Sequence, residues 1–223
     1  MTKVAIHQPN FLPWLGYLYK IHLCDIFVIL DDVQYIRNSY INRCYIKTVD
    51  NPEFLLTLPL QKHSSRALIS ELKISKSKEY FNILKTISRN YKKAIGFCFF
   101  DELVGCFNEE KISLVEFNVN LIERLCKVMA ITKPFIFASS LDIKENGQER
   151  IINIVKALNC KTYLSGQGAK SYQDEKKFLE EGINLEYLNY HFPKYTQLWG
   201  SFQPNLSAID YILNTKKSDL TFK

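Results

Sequence analysis

The opening of the chain most constrains what it can fold into. Val4 to His7 is a short apolar run ending in Gln8-Pro9-Asn10. Pro13 then stands where a helix would begin, and Leu15, Leu18, Tyr19, Ile21 and His22 follow at helical spacing. Asp25 leads Ile26-Phe27-Val28-Ile29-Leu30, an unbroken apolar run of strand length that stops at Asp31-Asp32. A strand without polar alternation suits burial on both faces. The pattern is strand, helix, strand, and such crossovers nearly always join parallel strands with a right-handed turn. His7 and Asp31 therefore fall at carboxyl ends on one edge of the sheet, where open α/β folds bind ligands.

The alternation returns after Pro134, with strands at Phe135 to Ala138, Lys161 to Ser165 and Ile183 to Leu188, and helices at Gln148 to Leu158 and Asp174 to Glu181. Between the two stretches, Asn42 to Thr48 and Glu53 to Leu58 read as a hairpin about Asp50-Asn51-Pro52. Ser77 to Lys93 and Glu109 to Met129 carry apolar residues at three- and four-residue intervals, with a broken apolar stretch from Phe97 to Phe107 between them. The expected fold is α/β, a mostly parallel Rossmann-like sheet with a helical cover or subdomain inserted in the middle. Residues 1–223 are expected to form a single domain, with 77–130 the helical insertion. Tyr190 to Asn205, with two prolines and little periodicity, reads as an ordered covering loop before a short helix from Ser207.

Composition narrows the function classes. With 223 residues, 47% hydrophobic and 23% charged, the chain can bury a core without staples, and disorder is excluded as a main theme. The net charge of +6 is spread rather than blocked, which argues against nucleic acid but suits a phosphorylated small molecule. No stretch is long and apolar enough for a membrane span, and the N-terminus lacks a secretory pattern, so a cytoplasmic location is expected. The six cysteines form no C-x-x-C pair and sit mostly in apolar segments; buried thiols are expected, with a disulfide or zinc site as the alternative, and no metal ligand is nominated. Oligomeric state is left open, a homodimer included.

Five constellations carry chemistry. His7-Gln8-Pro9-Asn10, with Trp14 and Tyr17 at the following helix start, makes a stiff loop beside unpaired helix amides that attract an anion or a carbonyl; the alternative is that His7 is a bonded core histidine and Trp14 a packing residue. Asp31-Asp32 with Gln34 and Tyr35 closes the second strand, and a carboxylate there could orient His7 and raise its basicity, or simply face solvent at a turn. Asn42-Arg43 puts a guanidinium in an extended segment, where it either pairs with Asp31 or Asp32 or presents its fork to phosphate. Ser165-Gly166-Gln167-Gly168, with Tyr172, follows a strand and allows close backbone approach to a ligand. Lys194-Tyr195 reads as part of a lid, and Asp210 as a core residue.

Taken together, His7-Gln8-Pro9 with Pro13-Trp14-x-Gly16-Tyr17, Asp31-x-x-Gln34-Tyr35, Asn42-Arg43, Tyr163-Leu164-Ser165-Gly166 and Phe202-x-Pro204-x-Leu206-Ser207-x-x-Asp210 resemble the WbqC-like protein family. The chain departs from that pattern after Asn214, where Thr215-Lys216 replaces a glycine-bearing helix end. The resemblance implies a setting in bacterial surface-polysaccharide (O-antigen, lipopolysaccharide) biosynthesis. It points to a transferase that moves a formyl, aminoacyl or other acyl group onto the amine of a nucleotide-linked sugar, with formyl-tetrahydrofolate or acyl-CoA as possible donors. His7 would take the proton, Asp31 or Asp32 would orient it, Asn10 and the glycine-turn amides would hold the oxyanion, and Arg43 and Lys194 would grip the diphosphate. Two alternatives stay open: a nucleotidyl- or adenylyl-forming transferase, and a non-catalytic accessory protein that binds glycan through the aromatic tail.

Overall fold

A computed structural model describes residues 2–110 and 112–222. In chain order the elements are β1 (Lys3–His7), α1 (Leu15–Leu23), β2 (Ile26–Ile29), β3 (Arg43–Ile46), β4 (Phe54–Thr57), α2 (Lys78–Tyr91), α3 (Phe100–Asn108) and α4 (Leu114–Val128). They continue with β5 (Phe135–Phe137), α5 (Gly147–Ala157), β6 (Thr162–Ser165), α6 (Glu175–Glu180), β7 (Asn184–Tyr187) and α7 (Ala208–Asn214). The chain divides into two compact units, the first holding Met1–Gln8, Tyr19–Asp32 and Thr132–His191, the second Pro9–Leu18, Val33–Ile131 and Phe192–Lys223.

The first unit is the expected parallel α/β sheet, with strand order β5-β2-β1-β6-β7 and every neighbouring pair parallel. The register sets Val4 beside Ile26 and His7 beside Ile29, and Val4, Ala5, Phe27, Val28 and Ile29 are all fully buried, as the unbroken apolar runs require. Val4, Ile6, Tyr163 and Phe178 join Ile152, Ile154 and Val155 of α5 in one apolar cluster. Alternation along β1 sends Ala5 and His7 to the other face, the side of α1, where Cys24 lies against Ala5. From β1 the chain moves outward to β2 and β5, then returns to β6 on the far side of β1. The topological switch therefore falls between β1 and β6, at the strand that ends in His7.

In the second unit β3 and β4 form the expected antiparallel hairpin, Arg43 opposite Thr57, with the Asn51 side chain accepting from the Glu53 amide in the turn. Its helices pack an aromatic core in which the rings of Tyr80, Phe107 and Phe117 meet at centroid distances of 5.0 and 5.1 Å. The broken apolar stretch before residue 109 is itself helical, a 3-10 turn at Phe97–Phe99 leading into α3; its phenylalanines and glycines blur the helical period. The helix expected from Glu109 starts at Leu114, because Ser113 caps it by accepting from the Glu116 amide.

A second buried feature is polar. Asp210, fully buried, accepts from the hydroxyls of Tyr91 (2.6 Å) and Tyr195 (2.7 Å) and from Gln197 Nε2 (2.9 Å). Lys47, 2% exposed, donates to Gln197 Oε1 and to the Ser201 carbonyl, so the covering loop after Phe192 is fastened from both sides. Trp199 Nε1 also donates to the Asn90 carbonyl.

All six cysteines are thiols outside any disulfide, and only Cys98 is exposed. Among the described residues no helix is long and apolar enough to cross a membrane.

Gly16 has a steric reason. A Cβ there would fall 1.9 Å from the Trp14 ring, which lies over the glycine. Alanine normally stabilises a helix relative to glycine; here Gly16→Ala is expected instead to cost about 1–3 kcal/mol and to swing the indole out. Tryptophan fluorescence, read beside a denaturation curve, checks both effects.

Candidate functional site

A cavity of about 550 Å³ opens in the first unit at the carboxyl ends of its central strands. That volume is in the range of small-molecule sites. Ile6, His7 and Gln8 supply one wall from the end of β1, with Leu30 beyond β2 and Tyr163 from β6. Gly147, Gln148 and Ile151 bring the start of α5, and Ala169, Tyr172 and Gln173 come from the segment after β6. None of the described lining residues carries a formal charge: the polar groups are three glutamine amides, a histidine and two phenols.

Each polar wall is held by a partner. Gln148 and Asp174 bond reciprocally, Gln148 Nε2 to the Asp174 carbonyl and the Asp174 amide to Gln148 Oε1, both at 2.8 Å. Ser165, fully buried, donates from Oγ to Gln173 Oε1 at 2.9 Å and so positions that glutamine. Gly147 takes φ +58°, where glycine is favoured, and the Asn146 side chain makes no capping bond, so side chains leave the first turn of α5 to the cavity. Tyr172 stands at the mouth, 76% exposed.

His7 is half-buried, with Nδ1 3.0 Å from the Gln8 carbonyl. A carbonyl only accepts, so Nδ1 carries the hydrogen and the lone pair of the neutral ring is on Nε2. Burial, and after it the nearby Lys20 ammonium, push the His7 pKa down to about 4. The imidazole is uncharged throughout the neutral range, an acceptor rather than a strong base.

That differs from the expectation that Asp31 or Asp32 would raise its basicity. Both Asp31 oxygens accept from Ser139, Oδ1 from the amide at 3.1 Å and Oδ2 from the hydroxyl at 2.7 Å. Asp32 Oδ2 is paired with Arg150 of α5. The carboxylates tie the end of β2 to the turn after β5 and to α5, while the charge acting on the ring is positive.

Of the other nominated residues, Gln8 and Tyr172 line the cavity. Gly166, Gln167 and Gly168 do not; Gly166 precedes a 3-10 turn at Gln167–Ala169, in which Gln167 Nε2 donates to the Leu188 carbonyl. Asn10, Trp14 and Arg43 belong to the second unit, where they share a small recess with Tyr40, Tyr45 and Asn205. Leu12 in that loop is fully buried at φ +40°, a strained conformation ahead of Pro13, and Ser207 Oγ donates to its carbonyl at 2.7 Å. Arg43 makes no ion pair among the described residues, and its buried Nε has no hydrogen-bond partner. Tyr17 is buried, its phenol pushed well above the usual range by burial. Tyr35 donates to Asn42 Oδ1, and Asn42 Nδ2 to the Leu58 carbonyl, which makes them pins of the hairpin; Gln34 reaches the Ser65 carbonyl. Lys194 is exposed, and Tyr195 is committed to Asp210.

Sequence reasoning missed Lys20, Gln148 and Gln173. Lys20 had a signal: with Tyr17, Ile21 and Cys24 it falls on the buried stripe of α1, and it is 3% exposed.

Two comparisons bear on this architecture. The uncharacterized protein Rv1507c of Mycobacterium tuberculosis is 32% identical over 218 residues, which cover 96% of this chain and 94% of that protein. No solved structure matches the chain. A family model described as the WbqC-like protein family matches residues 8–221, nearly the whole chain. The chain is therefore a member of the WbqC-like protein family.

Proposed function

We propose that the first unit binds a nucleotide-linked amino sugar and that the protein transfers an acyl group, formyl or aminoacyl among them, to the sugar amine in surface-polysaccharide biosynthesis. The observation that carries the reading is the uncharged polar lining of the cavity around His7 at the switch point. Amides, phenols and a neutral imidazole offer donors and acceptors to hydroxyls and an amine without a buried charge to satisfy. They offer no countercharge to a diphosphate, so the sugar ring is the part that enters. The diphosphate stays toward the mouth, where the first amides of α5 face negative charge favourably. Tyr172, exposed at the mouth, would stack on the base.

In this reading the amine nitrogen attacks the carbonyl of a formyl-tetrahydrofolate or acyl-CoA donor. The C–N bond forms, the donor departs with the electron pair of its broken bond, and the amine proton leaves by way of His7 Nε2 to the departing group or water.

The aromatic tail favours this reading over a glycan-binding accessory, because Tyr195 and Trp199 spend their polar groups inside the second unit.

The test is a matrix of nucleotide-linked amino sugars against formyl and acyl donors, read by mass spectrometry. A sugar that gains the acyl mass supports the proposal. Saturable sugar binding without transfer from any donor would leave a binding protein, and no binding of any nucleotide sugar would end the reading. Tyr172→Ala is expected to weaken binding of the nucleotide sugar by about 1–3 kcal/mol, the worth of one base stacked on an aromatic ring. Calorimetric titration measures that loss.

A further inference from the structure

Lys20 is a buried cation that the proposed chemistry does not use. It lies on α1 at 3% exposure, and its Nζ donates to the Ile6 carbonyl at 2.9 Å, the peptide immediately before His7. A lysine is almost never this buried without an ionic partner, and among the described residues no carboxylate pairs with it. Its hydrogen bond to Ile6 is spent on the strand end that carries the imidazole. We propose that Lys20 is a positioning residue for His7: anchored on the Ile6 carbonyl, its ammonium fixes the end of β1 and adds to burial in keeping a proton off the neighbouring imidazole.

The other charged or titratable groups on the surrounding elements are otherwise engaged. Cys24, just past α1, is a thiol pushed up to about 11 by burial, so it is uncharged. Asp31 and Asp32 beyond β2 are bonded to Ser139 and Arg150, and Arg150 on α5 is in turn paired with Asp32. Tyr163 on β6 stacks on Phe178 and is a neutral phenol, raised by burial. Tyr19 and His22, also on α1, stack on each other. Lys20 is thus the formal charge that acts on the ring, the direction His7 itself shows. Burial brings Lys20 down to about 8, so its charge is present at neutral pH and lost in mild alkali.

The role rests on His7 serving as the acceptor proposed above, but the test reads the ring itself, so its failure is distinct from failure of the transferase reading. NMR titration of the four histidines, with His7 assigned by the signal missing from His7→Gln, gives the midpoint directly. In Lys20→Met the His7 midpoint is expected to rise by about 1 unit, the scale of a nearby like charge removed. Lys20→Arg, which keeps the charge, should hold it low. The wild-type protein gives a second reading if the methionine variant fails to fold: the His7 resonances should move again near pH 8 as Lys20 discharges. An unmoved midpoint in a folded Lys20→Met, or no second step in the wild-type protein, would overturn the role.

Discussion

Replacing His7 by alanine is expected to lower turnover by about 10²–10⁴-fold while leaving the melting temperature near that of the parent. The first figure is the usual worth of a positioned proton acceptor. The second follows from its setting: the ring is half-buried at the mouth of a strand end and spends Nδ1 on the adjacent Gln8 carbonyl, which water in the cavity can replace. If His7 were instead a pin of the core, the variant would lose about 1–3 kcal/mol and activity would track the folded fraction. The same substitution should flatten an acid slope in stability. His7 titrates near 4 in the folded chain against 6.5 in a free side chain, so as pH falls from about 6.5 to 4 the unfolded chain takes up a proton that the folded chain refuses. Stability from this group is therefore present above pH 6.5 and lost on the way down, and denaturation curves at several pH values show whether the alanine variant lacks that loss.

Asp210→Ala is expected to be the most destabilising single change, at about 3–5 kcal/mol for the second unit. The carboxylate is fully buried and receives three donors, and its removal leaves the Tyr91 and Tyr195 hydroxyls unmet and the buried Lys47 ammonium without its counter-ion. Burial raises the Asp210 pKa, with the two tyrosines, Lys47 and Gln197 opposing. A carboxyl raised in the folded state gains folding stability, not loss, as acid protonates it. Urea denaturation of Asp210→Ala beside Asp210→Asn, which retains an acceptor oxygen, separates loss of the charge from loss of the bonds. Near-parental stability in the alanine variant would show the cluster to be dispensable.

The elements that could be read from sequence are those whose signal is local. Ile26 to Ile29 is apolar without interruption and Pro13 marks the turn into α1, so the parallel β1–β2 pair follows from adjacent residues. The hairpin follows in the same way from Asp50-Asn51-Pro52. α3 did not, because the unbroken apolar run Phe97-Cys98-Phe99-Phe100 leads into it and masks the stripe of Phe100, Leu103, Cys106 and Phe107. The site divides along the same line. His7, Gln8 and Tyr172 sit after strands, where position in an α/β chain points to a ligand crevice, and they line the cavity. The partners of Asp31 and Asp32 lie 108 and 118 residues away, which no spacing rule reaches, so carboxylates that tie loops together read as partners for the nearest histidine. Gln148 and Gln173 were hidden for a related reason: a lone glutamine near a helix start or in a loop carries no period, and only the Asp174 and Ser165 bonds aim them.

The most direct test of the central claim is a crystal structure of the protein with a nucleotide-linked amino sugar. The sugar ring is expected inside the cavity, its amine within hydrogen-bonding distance of His7 Nε2, glutamine amides on its hydroxyls, and the diphosphate outside at the start of α5. A ligand seated elsewhere with the cavity empty of sugar, or one with its diphosphate among the uncharged side chains and its sugar in solvent, would contradict it.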